Sequence, residues 1–214
     1  MEKEYDVFSV GNALVDLIIN STEEEFQALG IHTGGLIFLN DNKAKKVIAS
    51  VLEQKPVIVP GGSAANVISM LANLGSKSFY SGKVGDDFLG EEFENVLKKE
   101  GILTNITKDN THTGTAVTFI TPDKERSFAV YLGASINIKE SDIDQNVLKN
   151  SKIMHIEGYQ FYDKKLREMI LSLAKIAKEN NTLISFDLSS YDLVKENNKS
   201  VTKFIKEYVN ILVT

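Results

Sequence analysis

The chain has 214 residues, 43% of them hydrophobic, and a formal net charge of −5. That length supports one domain, or one domain with a small appendage, around a sizeable core. The acidic balance, the absence of any basic run and the presence of only two arginines (Arg126 and Arg167) exclude a general nucleic-acid or membrane-surface binder, while zero cysteines exclude disulfides and thiolate metal sites.

No run of about 18 apolar residues occurs, so a membrane-spanning helix is not expected. The start, MEKEYDVFSV, is acidic and then strand-like, unlike a secretory leader. The cytoplasm is the default location.

In chain order, residues 5–10 read as a first strand ending at Gly11. Short strands are expected at 14–20 and 36–39. Asp41 or Asn42 could cap a helix running to about Leu52. Val57-Ile58-Val59 reads as a buried strand by its β-branching. Residues 64–74 are helical and apolar almost all round, which predicts a buried helix ended by Gly75. A strand follows at 78–81, then an amphipathic helix over 86–99 with Asp86 as its cap. Residues 115–121 and 127–132 flank a Pro-Asp turn and predict a hairpin.

From Lys152 the pattern becomes strand (153–156), helix (163–178), strand (183–186), helix (200–209) and strand (211–213). That alternation predicts a parallel sheet with helices on its faces. Ligands bind such sheets outside the C-terminal strand ends. Gly11-Asn12, Gly61-Gly62, Glu157-Gly158 and Asp187 all fall there. The segments 14–39 and 115–132 do not fit the alternation and predict a separate small β element. The final strand would be central in such a sheet with nothing after it, so the expectation is a truncated chain.

Several common site signatures are missing. Neither G-x-x-x-x-G-K-[ST] nor G-x-G-x-x-G is present. His32, His112 and His155 lack zinc-like spacing, and no G-x-S-x-G elbow exists.

The remaining candidates are weaker singly. Gly61-Gly62 between strand and helix leaves backbone N–H groups open to anions or hydroxyls. Taken alone, the pair reads more readily as a tight turn with Ser63 as N-cap. Asn66, one turn on, carries both a donor and an acceptor and suits a hydroxyl. Asp16 can accept hydrogen bonds from two vicinal hydroxyls, or it is an exposed polar residue on a strand. Arg126 at the hairpin could meet a phosphate. Glu157 and Tyr159 follow a strand, where Glu157 can face the crevice and Tyr159 can pack on a ligand.

The stretches Gly11-Asn12-Ala13-Leu14-Val15-Asp16, Pro60-Gly61-Gly62-Ser63-Ala64-Ala65-Asn66, Gly82 to Gly90, Thr113-Gly114-Thr115 and Thr121 to Ser135 run in an order that resembles the ribokinase-like (PfkB) carbohydrate kinases, most closely their adenosine-kinase-like branch. The resemblance implies an αβα sandwich whose central, mostly parallel sheet carries a small β-sheet lid, formed from about 14–39 and 113–135. It implies transfer of the γ-phosphoryl group of ATP, with Mg2+, to a hydroxymethyl of adenosine or a ribose-type sugar. Carried over by motif, Asp16 would hold ring hydroxyls. Gly61, Gly62, Ser63 and Asn66 would line the sugar site, with Asn12 flanking the acceptor near its base. Arg126 would reach the transferred phosphate, and Tyr159 would be the stacking candidate; no motif assigns a nucleotide contact, for which Asp187, by its place at a strand end, is the one candidate.

The family's D-T-x-G-A-G-D signature, with its base and anion hole, and its magnesium-associated N-x-x-E motif are expected beyond residue 214. The resemblance therefore places the acceptor site and lid here without a catalytic residue, and the isolated chain is expected to be inactive. A non-catalytic sugar- or nucleoside-binding fragment, or a homodimer formed through the lid, is the alternative.

Overall fold

The computed structural model describes residues 2–214. Six strands form a parallel central sheet: β1 (Tyr5–Val10), β5 (Ser78–Gly85), β6 (Leu103–Asp109), β9 (Ser151–Glu157), β10 (Leu183–Asp187) and β11 (Ile211–Val213), in the order β11-β10-β9-β1-β5-β6. Five more strands form a second, mixed sheet: β2 (Leu14–Asn20), β3 (Leu36–Phe38), β4 (Val57–Gly61), β7 (Gly114–Ile120) and β8 (Arg126–Tyr131), in the order β3-β8-β7-β2-β4. The two segments that break the alternation thus share one sheet, as their sequence predicts.

The described residues also form seven α-helices, α1 (Glu23–Gln27), α2 (Asp41–Glu53), α3 (Ser63–Asn73), α4 (Phe88–Lys99), α5 (Gln145–Lys149), α6 (Lys164–Glu179) and α7 (Tyr191–Tyr208), and three short 3-10 turns. Helix α6 shows why the pattern works. Asp163 caps it by accepting from the Lys165 and Leu166 amides, and Leu166, Met169, Ile170, Leu173 and Ala177 all fall on its buried face. Burying Leu166, Ile170 and Leu173 there contributes about 1.5–3 kcal/mol each.

Two apolar layers sandwich the central sheet. On one side Phe8, Val10, Met154 and Ile156 pack with α5, α6 and α7. On the other, Tyr80 and Val84 pack with α3, α4 and one face of the second sheet, through Val15, Leu17, Val117 and Phe119. Alternation along the strands turns the opposite face of that sheet, carrying Leu14, Asp16, Phe128 and Val130, toward the C-terminal end of β9.

Several expectations need correction. β4 is not buried: it is the edge of the second sheet, with Val57 61% exposed, and an edge tolerates Pro60 because one side of its backbone needs no partner. α3 buries only Ala64, Ala65 and Ile68, whereas Met70 and Leu74 are exposed because it lies on the outside of its layer. α2 is capped by Asn40, which accepts from the Lys43 amide at 3.0 Å, and α4 by Asp87, which accepts from the Gly90 amide at 3.0 Å; neither Asp41, Asn42 nor Asp86 serves. α7 starts at Tyr191, capped by Ser190, well before residue 200. Asn197 leaves helical geometry inside it, and its side chain donates back to the Leu193 carbonyl, which kinks the helix just before residue 200.

Candidate functional site

The site is organised by two turns, one leading from the central sheet into the second and one leading back out of it into α3. β1 ends at Val10, and Gly11 to Ala13 carry the chain into β2. β4 returns antiparallel to β2, and Gly61-Gly62 lead into α3. Glu157, at the end of β9, lies between them.

The glycine pair clears space for two other residues of the chain. A Cβ on Gly61 would overlap the Asp16 carboxylate, and one on Gly62 would overlap the Asn12 carbonyl oxygen. Gly62 also sits at φ +90°, a region that side chains disfavour. The room is therefore taken by Asp16 and Asn12 and is not open to a ring against bare backbone. Ser63 is not the N-cap of α3 either; Gly62 holds that position without a side-chain bond. The helix N-terminus is satisfied from across the fold, by the Glu157 carboxylate accepting from the Ala64 amide at 2.9 Å.

A cavity of about 460 Å³ opens beside these turns. Its polar end is formed by Asn12, Asp16, Gly62, Ser63 and Glu157. Apart from Asp163, the N-cap of α6, the rest is apolar and aromatic, with Leu36 and Phe38 from β3, Phe128 and Val130 from β8, and Tyr159 and Tyr162 after β9. Tyr159 and Tyr162 stack with ring centroids 6.5 Å apart, and Phe38 meets Tyr162 edge-on at 6.3 Å.

Within the polar end, charge and hydrogen bonding differ from residue to residue. Burial alone pushes the Asp16 carboxyl up to about 6, with no donor from the protein to hold it down. Burial pushes Glu157 up to about 7, opposed by the amides of Asn12 and Ala64 and assisted by the nearby Asp187 charge. The Asn12 side-chain oxygen is buried without any hydrogen-bond partner. Ser63 donates to Asp187 at 3.3 Å. Asp187 also accepts from the Ser189 amide at 2.8 Å, and the Ser189 hydroxyl accepts from the Gly158 amide at 2.8 Å.

Among the residues expected from sequence, the cavity gathers Asn12, Asp16, Gly62, Ser63, Glu157 and Tyr159. Gly61 lies behind Asp16. Asn66 is exposed, one turn further along α3 and outside the lining. Arg126 is exposed at the start of β8, on the strand face that carries Phe128 and Val130 but beyond the cavity wall. Asp187 touches Ser63 and the Ser189 turn, a brace for the floor of the site. The aromatic wall escapes motif reasoning, although one signal points to it: Phe128-Ala129-Val130-Tyr131 is apolar on both strand faces, so both faces must meet apolar matter.

For the implied cofactors the residues offer little. Among the described residues no three Asp, Glu, His or Cys side chains come together to hold a metal ion. The two strand-end carboxylates, buried Glu157 and half-buried Asp187, already accept hydrogen bonds from this chain. The residues present do not fit a magnesium site. No helix among the described residues is long and apolar enough to cross a membrane.

Comparison with known proteins places this geometry. The adenosine kinase of Sinorhizobium meliloti superposes with a TM-score of 0.85 at 29% identity, over 98% of this chain and 64% of that one. Residues of this chain are 35% identical over 132 positions to probable fructokinase-5 of Arabidopsis thaliana, covering 60% of this chain and 41% of the relative. They are 37% identical over 133 positions to the 5-dehydro-2-deoxygluconokinase of Clostridium perfringens, covering 60% and 39%. These matches span well under two thirds of the curated relatives' lengths. Residues 6–214 match the model of the pfkB family carbohydrate kinases, a span that holds every residue of the cavity lining, and the chain belongs to that family.

Proposed function

We propose that the cavity is the acceptor site of an ATP-dependent phosphotransferase, and that its acceptor is a nucleoside, adenosine before a free ribose-type sugar. One observation carries this reading: a single cavity pairs a short polar end, with Asp16 and the Asn12 oxygen both lacking protein partners, with a longer aromatic and aliphatic wall. A sugar alone would satisfy the polar end and leave the wall wet. A nucleoside fills both, with its ribose hydroxyls on Asp16 and its base against Phe38, Tyr159 and Tyr162.

In this reading the ionised Asp16 carboxylate accepts from two vicinal hydroxyls, and the Ser63 and Asn12 side chains fix the ring's orientation. The second sheet acts as the lid, since it supplies β2, β3 and β8 to the wall and joins the core through the two glycine turns. Closing it would exclude water that competes as phosphoryl acceptor. Turnover is proposed to need the D-T-x-G-A-G-D signature, which these 214 residues do not contain. A homodimer through the second sheet remains the alternative, supported by the exposed Val57 on its edge strand β4.

A free-sugar acceptor is the second reading, favoured by the names of the fructokinase and 5-dehydro-2-deoxygluconokinase relatives. Calorimetric titration of the 214-residue chain with adenosine, ribose and fructose separates the two. Tighter binding of adenosine supports the nucleoside; tighter binding of either sugar overturns it. Robust ATP-dependent phosphorylation of adenosine or ribose by this chain would overturn the expectation of inactivity.

A further inference from the structure

The peptide group joining Gly11 to Asn12 is held at both ends. Its carbonyl oxygen accepts from the Tyr80 hydroxyl at 3.1 Å, and its N–H donates to one Glu157 oxygen at 2.8 Å. Tyr80 and Glu157 are 0% and 1% exposed. The other Glu157 oxygen accepts from the Ala64 amide in the first turn of α3 at 2.9 Å. The two segments also touch directly, because a Cβ on Gly11 would overlap the Cβ of Ala64. Beyond this held backbone, the Asn12 side-chain oxygen is buried, unpartnered and part of the cavity lining.

We propose that Glu157 and Tyr80 are positioning residues. They clamp the Gly11–Asn12 peptide, and Glu157 ties it to the start of α3, so that Asn12 and Ser63 reach the cavity as one preassembled wall. This rests on the reading of the cavity as the acceptor site. Both Glu157 oxygens are engaged by backbone amides, so Glu157 works through the backbone of both segments even though it lines the cavity. A carboxylate suits this place because it only accepts, and it meets two N–H donors at once. A glutamine of the same shape accepts at one end and sets N–H against N–H at the other.

The test uses the 214-residue chain with Glu157→Gln and Tyr80→Phe. Amide hydrogen exchange by NMR is read at Asn12 and Ala64, with Ile170 and Phe186 as remote controls, and adenosine and ribose affinities are read by calorimetry. In Glu157→Gln, exchange at Asn12 or Ala64 is expected to accelerate about tenfold or more while the controls hold, and ligand affinity of the folded protein to fall by a similar factor. Tyr80→Phe keeps the ring and loses the donor to Gly11, so a several-fold fall in affinity is expected, and it stands in should the glutamine variant fail to fold. A lower melting temperature with unchanged affinity in either variant would make the residue merely structural and overturn the proposal. Unchanged exchange at both amides in Glu157→Gln would overturn the clamp. Failure of the wild-type chain to bind adenosine or ribose would overturn the acceptor reading instead, with the exchange measurement still deciding the clamp.

Discussion

The Asp16 carboxylate occupies the volume that a side chain on Gly61 would fill. Asp16 lies on β2 opposite Val59 of β4, and Gly61 is two residues further along that strand, opposite Leu14. One missing methyl group thus sets where the site's free carboxylate can stand. Gly61→Ala is expected to push Asp16 off its position, costing about 1–3 kcal/mol as overpacking. Adenosine affinity should fall tenfold or more, as read by calorimetry. Unchanged affinity in a folded Gly61→Ala protein would show that Asp16 is free to shift.

Protonation of Asp16 gives binding and stability opposite slopes with pH. Its carboxyl is raised from 3.8 to about 6, so between those values the folded chain holds more protons than the unfolded one. The stability of the unliganded protein from this group is therefore full below about 4 and falls as pH rises through 6; Glu157, raised to about 7, extends the same slope upward. Binding to hydroxyls needs the ionised form, so affinity should rise over the same interval. Asp16→Asn is expected to melt several degrees higher than wild type at pH 8, since a shift of this size amounts to roughly 2–3 kcal/mol. It is also expected to lose most affinity and its pH dependence. Thermal melts and titrations at pH 5, 6, 7 and 8 check both signs.

The polar half of this site was readable because its residues carry local marks. Asp16 stands alone among apolar neighbours, Gly61-Gly62 interrupts a strand before a helix, and Glu157 follows the strand expected at 153–156. Their partnership was not readable, since Glu157 meets Asn12 and Ala64 across 145 and 93 positions of sequence. α6 was plain from its period. β6 was not, because Leu103-Thr-Asn-Ile-Thr-Lys-Asp reads as a polar loop and becomes a strand only by pairing along the exposed edge of β5. The aromatic wall has the same origin: Phe38, Phe128 and Tyr162 become neighbours through strand register and the turn after β9, which no short motif encodes.

That wall separates nucleoside from sugar. Phe38 and Tyr162 meet edge-on at the apolar end, far in sequence from any residue expected to hold hydroxyls. Replacing either with Ala is expected to weaken adenosine by about 1–2 kcal/mol, near tenfold, through lost aromatic contact. Ribose affinity should change by less than about twofold, because only the polar end holds a free sugar. Equal losses for both ligands would move the base away from this wall.

A change far from the cavity tests the other layer. Phe161, Phe186 and Phe204 form a fully buried triad with centroids 5.1, 5.2 and 5.3 Å apart, which pins α7 and the turn after β9 onto β10. Phe204→Ala leaves a cavity that rigid strands on one side cannot close, so a loss of about 3–5 kcal/mol is expected in urea unfolding. Phe161 belongs to the same short turn as Tyr159, just before Tyr162. The loosened turn should therefore also release the Tyr159–Tyr162 stack and weaken adenosine more than ribose. A stability loss of that size with unchanged adenosine affinity would show that the stack is held by Phe38 and β8 rather than from beneath.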